Sequence, residues 1–204
     1  MSYFGLTGGV ASGKTTVARM FEELGARIID ADQLGHELLR ASLPAYQEVV
    51  QRFGNEVLDG SGAIDRKRLG AIVFGDGGKL AALNAILHPK IIQGVERLAE
   101  QFKAQSPRDV ILVDAALIFE AGIGARFQRV VVVWCRPEQQ IERLMAKAGL
   151  GRAEAERRVA AQMPAEEKRR RADHLIDTSG SLDSTLAQVR QTHAELKALV
   201  ESHP

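Results

Sequence analysis

Near its start the chain carries the sequence Gly8-Gly9-Val10-Ala11-Ser12-Gly13-Lys14-Thr15, followed by Thr16. It matches the phosphate-binding pattern G-x-x-x-x-G-K-[ST] in full and lies between a predicted strand, residues 3–7, and a predicted helix, residues 15–24. Glycines let successive backbone N–H groups face one concavity, and the following helix adds its positive N-terminal end. We therefore predict a nucleotide site at residues 8–16, where Lys14 reaches the β- and γ-phosphates and the Thr15 hydroxyl ligates Mg²⁺.

Four further apolar runs predict the other strands of a parallel sheet. They are residues 27–30, 110–113, 130–134 and 174–176. Because their apolar residues are consecutive rather than alternating, they suit strands that are buried on both faces. Helical stretches separate them, so right-handed strand–helix–strand crossovers are the natural connection. The chain is expected to be an α/β protein with a three-layer P-loop core around a five-stranded parallel sheet.

Two segments interrupt this alternation and predict additions to the core. Residues 34–107 look helical with no clear strand, whereas residues 147–171 are highly charged and have little apolar surface to bury. The first segment predicts a helical insertion, and the second predicts a mobile arm or lid. The core itself is then expected to comprise residues 1–33, 108–146 and 172–204.

Local signals place three features within the insertion. Asp65 is expected to cap a helix over residues 66–74, and residues 75–78 are expected to form a loop. Pro89 is expected in the first turn of a long helix that ends near Lys103, since proline is tolerated there.

Composition excludes several classes of protein. The 204 residues include 27 Lys and Arg against 26 Asp and Glu, and a net charge of +1 disfavours nucleic-acid binding through bulk charge. With 5% aromatic residues, stacking platforms for single strands are also disfavoured. Cys135 is the single cysteine, which excludes an internal disulfide framework and a cysteine-cluster zinc site. No apolar run is long enough to span a bilayer, and no signal sequence is evident, so we expect a soluble cytoplasmic protein without a membrane or obligatory protein partner.

Acidic residues follow two of the predicted strands. Asp114 ends one apolar run, where it would bind Mg²⁺ or cap the next turn. Asp30 and Asp32 follow another strand, and in an extended geometry both side chains would point the same way. Ligands of open α/β sheets lie outside the carboxyl ends of strands, so one of these acids would orient and deprotonate an acceptor hydroxyl. The alternative is that Asp32 caps a helix over residues 33–40.

Basic residues in the second half of the chain allow two interpretations each. Arg143 would clamp the transferring phosphoryl group, or it would be a solvated helix residue. The basic run at residues 168–171 is expected to be the solvated C-terminal end of a helix. His88 would either mark a helix start or contact a substrate.

A P-loop predicts nucleotide binding but not the reaction, and three classes of protein compete. A G-protein switch needs the pattern Asn-Lys-x-Asp, but neither Asn55 nor Asn84 precedes a lysine. An ATP-driven motor or regulator needs an interaction surface and a partner's arginine finger. The helical insertion and the charged arm favour the remaining class, a small-molecule kinase. Adenylate kinases usually have Gly after the P-loop lysine, where this chain has Thr15.

The residues resemble one family along most of the chain, the dephospho-coenzyme A kinases. The run at residues 5–16 is similar to the family's P-loop, and Asp30-Ala31-Asp32 is similar to its acidic motif. Further resembling segments, in chain order, are Asp65-Arg66, Leu69, Val73-Phe74, Leu87-His88-Pro89, Ile92, Leu117-Ile118-Phe119-Glu120, Arg143, Arg158-x-x-x-Gln162, Arg171-Ala172-Asp173 and Ile176-Asp177. Where this chain has Ala116, Lys147 and Thr178, the family usually has Pro, Arg and Asn, the last on the adenine side.

This resemblance implies phosphorylation of the ribose 3′-hydroxyl of dephospho-CoA by ATP with Mg²⁺, the last step of coenzyme A synthesis. The insertion is then implied to bind dephospho-CoA. Asp32 is implied to be the base with Asp30 in support, Lys14 to neutralise the transferring group, and Arg143 to close onto the phosphates from the lid. The implied acceptor contacts are Asp30, Asp32, Arg66, Leu69, His88 and Phe119.

Overall fold

A computed structural model of the protein describes residues 3–73 and 75–202; Phe74, the last residue of one predicted helix, lies outside the described residues. Five parallel strands form one sheet in the order β2-β3-β1-β4-β5. Their bounds are β1 Phe4–Gly8, β2 Arg27–Asp30, β3 Ile111–Asp114, β4 Val130–Trp134 and β5 His174–Asp177. The predicted α/β class and five-stranded parallel sheet are therefore confirmed, with strand ends that differ by one residue at most.

Nine α-helices connect or flank these strands within the described residues. Their bounds are α1 Lys14–Glu23, α2 Ala31–Leu38, α3 Pro44–Phe53, α4 Arg66–Val73, α5 Gly77–Gln105, α6 Pro137–Ala148, α7 Arg152–Ala160, α8 Ala165–Arg170 and α9 Leu182–Ser202. Short 3-10 turns occur at Asn55–Val57 and Gly124–Arg126.

The central strands are buried and the edge strands are not. Every residue of β1, β3 and β4 is buried, as their continuous apolar runs predict. On one face of the sheet, Val17 and Phe21 of α1 pack with Val189 and Leu196 of α9 against the strands. By contrast, β2 is an edge strand whose first and last residues are exposed. The expectation of burial on both faces is wrong for β2, and β5, the other edge strand, is only partly buried.

The chain divides into two compact units, residues 1–30 with 99–204 and residues 31–98. The first unit contains the sheet. The second unit contains α2, α3, α4 and most of α5, and it has its own apolar cluster that includes Val49, Phe53 and Leu83. Asp65 caps α4 as predicted, since its carboxylate accepts from the backbone N–H groups of Lys67 and Arg68.

Two expectations about the second unit are wrong. Pro89 lies inside α5 rather than in its first turn. The helix starts earlier because the Asp76 carboxylate caps the N–H groups of Gly78 and Lys79, so the predicted loop is shorter than residues 75–78. The proline removes one helical donor, and the nearby Lys90 ammonium donates to the Ile86 carbonyl at 3.4 Å.

The charged segment that follows α6 forms two short helices, α7 and α8. Arg152, Arg157 and Arg158 pair with glutamates of α7 itself, and these exposed pairs contribute little to stability. The expectation that residues 168–171 form a solvated basic run is wrong at Lys168, which is only 1% exposed. We call residues 149–171 the arm below.

Candidate active site

The loop between β1 and α1 has the backbone geometry of an anion site. Gly13 has φ of +91°, a value that glycine adopts without strain, and it directly precedes Lys14, the first residue of α1. Within the described residues no side chain caps this helix. The Thr16 N–H donates to the Gly13 carbonyl at 2.9 Å, so the N–H groups of Lys14 and Thr15 are the ones left for another acceptor. Thr15 and Thr16 are exposed in that turn. The loop therefore fits a bound phosphate group.

Lys14 and Asp114 meet at the carboxyl edge of the sheet. The Lys14 ammonium forms an ion pair and hydrogen bond with the Asp114 carboxylate, and both side chains are largely buried. Asp114 pairs in register with Leu6 of β1 and with Asp30 of β2. Because neighbouring parallel strands end together, Asp30 and Asp114 lie side by side at this edge. Asp114 thus faces the P-loop lysine, which fits the first of its two interpretations.

Arg143 is held beside the P-loop rather than solvated on its helix. Its guanidinium donates to the Thr178 hydroxyl at 3.1 Å and to the Thr178 carbonyl at 2.7 Å. The Thr178 hydroxyl donates in turn to the carbonyl of Ser12 at 2.7 Å. A cavity of about 340 Å³ adjoins these groups and is lined by Gly13, Thr16, Val17, Arg143, Thr178, Gly180, Leu182 and Thr185. Arg143 belongs to α6 and lies before the arm.

Two glutamines hold the peptide groups of Val10. The sequence alone assigns neither of them a role. The Gln162 side-chain oxygen accepts from the Val10 N–H at 2.8 Å, and the Gln140 side-chain nitrogen donates to the Val10 carbonyl at 3.0 Å. In this structure both polar groups of Val10 therefore have side-chain partners. Gln162 belongs to the Arg158-x-x-x-Gln162 pattern of the sequence, whereas Gln140 belongs to no recognised pattern.

The arm is attached to the core through Glu120. Its carboxylate accepts from the backbone N–H of Met163 at 3.0 Å and pairs with the buried Lys168 ammonium at 2.8 Å. Lys168 also donates to the Ala116 carbonyl at 2.9 Å. Burial raises the pKa of Glu120, but the bonds from Lys168 and Met163 outweigh it and hold that pKa below its ordinary value.

Asp32 lies in the first turn of α2, two residues beyond Asp30. The extended geometry that would have aligned these side chains is wrong, because the helix begins at Ala31 and Asp30 ends the strand. The alternative, in which Asp32 caps a helix over residues 33–40, is wrong for the same reason. Asp32 is exposed, and the positive end of the helix stabilises its carboxylate.

The other predicted acceptor residues are spread over both units. Arg66 is exposed and its guanidinium donates to Nε2 of His36 in the second unit. Leu69 is buried in the apolar cluster of that unit. His88 lies one residue before Pro89 within α5, and burial lowers its pKa. Phe119, in the first unit, is half-buried with the Arg171 guanidinium 5.8 Å above its ring.

The second unit also contains a groove of about 680 Å³. Most of its wall is apolar, and its cations come from Lys90 and Arg97. Lys90 pairs with Glu48 at 2.9 Å, whereas Leu43 is an exposed apolar residue at this groove. The lining residues are Leu34, Glu37, Leu38, Leu43, Pro44, Ala45, Lys90, Gln93, Gly94 and Arg97.

A divalent cation would find few protein ligands at the P-loop. The Thr15 hydroxyl and the Asp114 carboxylate are the oxygen donors there. In residues 3–73 and 75–202, no cluster of three His, Cys, Asp or Glu side chains could hold a metal. Mg²⁺ at phosphate sites uses one or two protein oxygens with water and substrate phosphates, so this donor set fits it.

The family model described as CoaE, dephospho-CoA kinase, matches residues 2–184. The chain belongs to the dephospho-CoA kinase family. The dephospho-CoA kinase of Carboxydothermus hydrogenoformans is 45% identical over 185 residues, which are 91% of this chain and 89% of the relative. A solved Thermus thermophilus structure has a TM-score of 0.80 and 32% identity, with 95% of this chain and 97% of that chain covered. Dephospho-CoA kinase from Campylobacter jejuni has a TM-score of 0.70 and 26% identity, with coverage of 97% and 98%.

Membership of the dephospho-CoA kinase family confirms the predicted resemblance and the predicted activity. The chain is a nucleotide-binding transferase of coenzyme A biosynthesis, a kinase that uses ATP and has an alcohol group of a small molecule as acceptor. In the part of the chain that the structure describes, no helix has the length and apolar character needed to cross a membrane.

Proposed function

We propose that the chain transfers the γ-phosphate of ATP to the ribose 3′-hydroxyl of dephospho-CoA at the edge where Lys14, Asp114 and Asp30 meet. The observation that carries this proposal is the Lys14–Asp114 pair beside an uncapped helix N-terminus. In phosphoryl transfer the protein contributes mainly positioning and electrostatic stabilisation. Lys14 neutralises charge on the transferring group, and the N–H groups at the start of α1 hold the phosphates.

Thr15 and Asp114 hold Mg²⁺ in this proposal, and the ion would neutralise the phosphate oxygens. Lys14 then exchanges part of its contact with Asp114 for contact with the nucleotide. Such an exchange keeps the largely buried lysine paired with negative charge throughout.

Asp32 is the proposed base that orients the 3′-hydroxyl and accepts its proton, and Asp30 supports it through the acidic character of this edge. Asp32 is exposed, so its carboxylate is accessible to an acceptor. A side-chain carboxylate can accept a hydrogen bond from a hydroxyl and take up its proton, which is what a general base must do.

The nucleoside end of ATP is proposed to occupy the cavity lined by Gly13, Thr16, Arg143 and Thr178. This cavity adjoins the start of α1, next to the predicted phosphate site. Arg143 is fixed there by two bonds to Thr178 before any ligand arrives, so little ordering is needed when ATP binds.

The groove of the second unit is proposed to receive the pantetheine arm of dephospho-CoA. That arm is long and carries apolar methyl and methylene groups between its two amides, which suit the wall formed by residues such as Leu38, Leu43 and Pro44. Arg97 is exposed at the same groove and provides a cation for the diphosphate. Residues 34–107 therefore remain our proposed acceptor-binding insertion, and residues 147–171 our proposed lid. An ATP-dependent biosynthetic step also keeps the cytoplasm as the proposed location.

The reaction is tested by ADP release from Mg-ATP with each of five acceptors, dephospho-CoA, AMP, CMP, gluconate and shikimate, and with none. Turnover is expected only with dephospho-CoA, whose product should gain the mass of one phosphate. That product should co-elute with authentic coenzyme A, which fixes the 3′ position. Turnover with another acceptor alone, or equal turnover without acceptor, would contradict the proposal.

A further inference from the structure

The peptide groups on both sides of Val10 are held by side chains from outside the P-loop. Gln162 accepts from its N–H at 2.8 Å, and Gln140 donates to its carbonyl at 3.0 Å. Gln140 is 2% exposed, so its hydrogen bond is made away from water. A buried amide that lost this partner would leave an unsatisfied polar group, which makes the contact specific.

The backbone around Val10 is packed and strained in a way that needs such support. A Cβ atom at Gly9 would come within 2.3 Å of the Gln140 side-chain nitrogen, so the loop and Gln140 approach as closely as glycine permits. Ala11 has φ of +57°, in the left-handed region that disfavours an L side chain. Backbone strain of this kind persists only where surrounding contacts fix the conformation.

The two glutamines come from different parts of the first unit. Gln140 lies on α6, whereas Gln162 follows α7 in the arm. The residue after Gln162, Met163, is bound through its N–H to Glu120, which also pairs with the buried Lys168. Glu120 and Lys168 thus fix the segment from which Gln162 reaches the loop.

We propose that Gln140 and Gln162 are positioning residues that hold the first half of the P-loop in its phosphate-binding conformation. Both side chains contact the backbone of the loop. Neither is placed to contact a reacting group in this proposal. After Gly13, the N–H groups of Lys14 and Thr15 remain for the phosphates, because that of Thr16 donates to the Gly13 carbonyl. Gln162 also makes the loop geometry depend on the attachment of the arm.

A purely structural role gives a different expectation. If these side chains only packed the arm against the core, their loss would lower the melting temperature and leave nucleotide affinity unchanged. If they position the loop, their loss makes the nucleotide supply the ordering free energy, so its Kd rises. Since both act on the peptides of one residue, their effects are also coupled.

The test measures the Kd of Mg-ADP by calorimetry for Gln140→Leu, Gln162→Leu and the double variant. Each single variant is expected to weaken binding about fivefold to tenfold, the size of one lost hydrogen bond. The double variant is expected to weaken binding by clearly less than the product of the two single effects. Gln191→Leu, at an exposed residue of α9 that bonds Glu195, is the control and should bind as the wild type does.

Gln162→Glu provides a second test that does not depend on removing a buried bond. Its carboxylate keeps an acceptor for the Val10 N–H but adds negative charge next to the phosphate site. It should retain the melting temperature. At high salt, where the added charge is screened, its Kd for Mg-ADP should be lower than that of Gln162→Leu, because the acceptor for the Val10 N–H is kept.

Three results would overturn the proposal: wild-type or tighter Mg-ADP binding by folded Gln162→Leu, a Kd for Gln162→Glu at high salt that is no lower than that for Gln162→Leu, or single effects that multiply fully in the double variant. If Gln140→Leu fails to fold, the two Gln162 variants decide alone. The KM for dephospho-CoA should stay within twofold in every folded variant, because the loop contacts the nucleotide and not the acceptor.

Discussion

The ammonium of Lys14 pairs with the carboxylate of Asp114 although the two residues are 100 positions apart in the chain. The register of β3 beside β1 brings Asp114 to this point. We expect Lys14→Ala to lower kcat about 1,000-fold, since it removes a cation that stabilises charge in the transition state. ADP release at saturating substrates measures this effect. Lys197→Ala, at an exposed lysine of α9, should keep wild-type kcat, and near-normal turnover by Lys14→Ala would remove the lysine from the mechanism.

Asp32 is expected to act in transfer rather than in nucleotide binding. Asp32→Asn keeps the shape of the side chain but removes its basicity, so kcat should fall about 100-fold or more while the Kd of Mg-ATP stays within twofold. Single-turnover rates and calorimetry separate the two effects. Asp30→Asn should reduce kcat by a smaller factor. If Asp32→Asn instead lost Mg-ATP affinity and kept its rate per bound ATP, Asp32 would belong to the metal shell.

Arg143 and Thr178 are expected to act together on the nucleoside side of ATP. Arg143→Met should raise the KM for ATP about tenfold, because it removes a cation that is already oriented. Thr178→Val removes the hydroxyl that bonds Arg143 and the Ser12 carbonyl and leaves the bond from Arg143 to the Thr178 carbonyl, so it should raise the same KM by a smaller factor. Thr178→Ser keeps the hydroxyl and should restore most of the affinity. A fall in kcat with unchanged KM would instead assign Arg143 to the transferring phosphoryl group.

We expect a variant in the groove of the second unit to change the KM for one substrate and not the KM for the other. Leu43→Glu places a negative charge on its apolar wall and should raise the KM for dephospho-CoA about tenfold, with the KM for ATP unchanged. Leu182→Glu, at an exposed leucine that lines the cavity beside Arg143, is the reciprocal variant and should affect only the KM for ATP. Equal changes in both constants for Leu43→Glu would exclude the groove as the acceptor site.

The bonds of the Glu120 carboxylate to the arm predict that acid weakens the attachment of the arm. Its pKa in the folded protein lies below the ordinary value of 4.5, so its stabilising effect is complete above that value. The effect is lost as the pH falls through the lowered pKa. Glu120→Gln should lower the free energy of unfolding by about 2 kcal/mol at pH 7, because it leaves the buried Lys168 ammonium without its carboxylate partner. The loss is no larger because Lys168 still donates to the Ala116 carbonyl. Thermal unfolding from pH 3 to 7 should show this difference shrinking below about pH 4.5, whereas a constant difference would contradict it.

Much of the first unit could be predicted because its signals are local. The P-loop pattern and the consecutive apolar residues of β1 and β4 depend on neighbours in sequence. The start of α5 was missed because Asp76 and Pro89 both mark helix starts, and only the structure shows that capping by Asp76 prevails. The burial of Lys168 was missed for a related reason. A charged run looks solvated until a distant carboxylate, here that of Glu120, is brought to it.

The contacts that shape the active site mostly join residues far apart in the sequence. For that reason, local sequence patterns do not predict them. Gln140 and Gln162 reach Val10 across 130 and 152 positions of sequence, and an isolated glutamine carries no pattern. Arg143 was recognised as a candidate, but its partner Thr178 follows a different strand and determines which side of the P-loop it serves.

The side chains that hold the P-loop backbone, Gln140, Gln162 and Thr178, share one chemical property. None of them gains or loses a proton between pH 4 and 10. The shape of the phosphate cradle is thus independent of pH near neutrality. It becomes sensitive to acid only below about pH 4.5, where protonation of Glu120 weakens the attachment of the arm that carries Gln162. Any inflection in the pH–rate profile near neutrality then reports on the nucleotide phosphates or on the acids and bases of the reaction, and a chemist can interpret it without a correction for a changing loop.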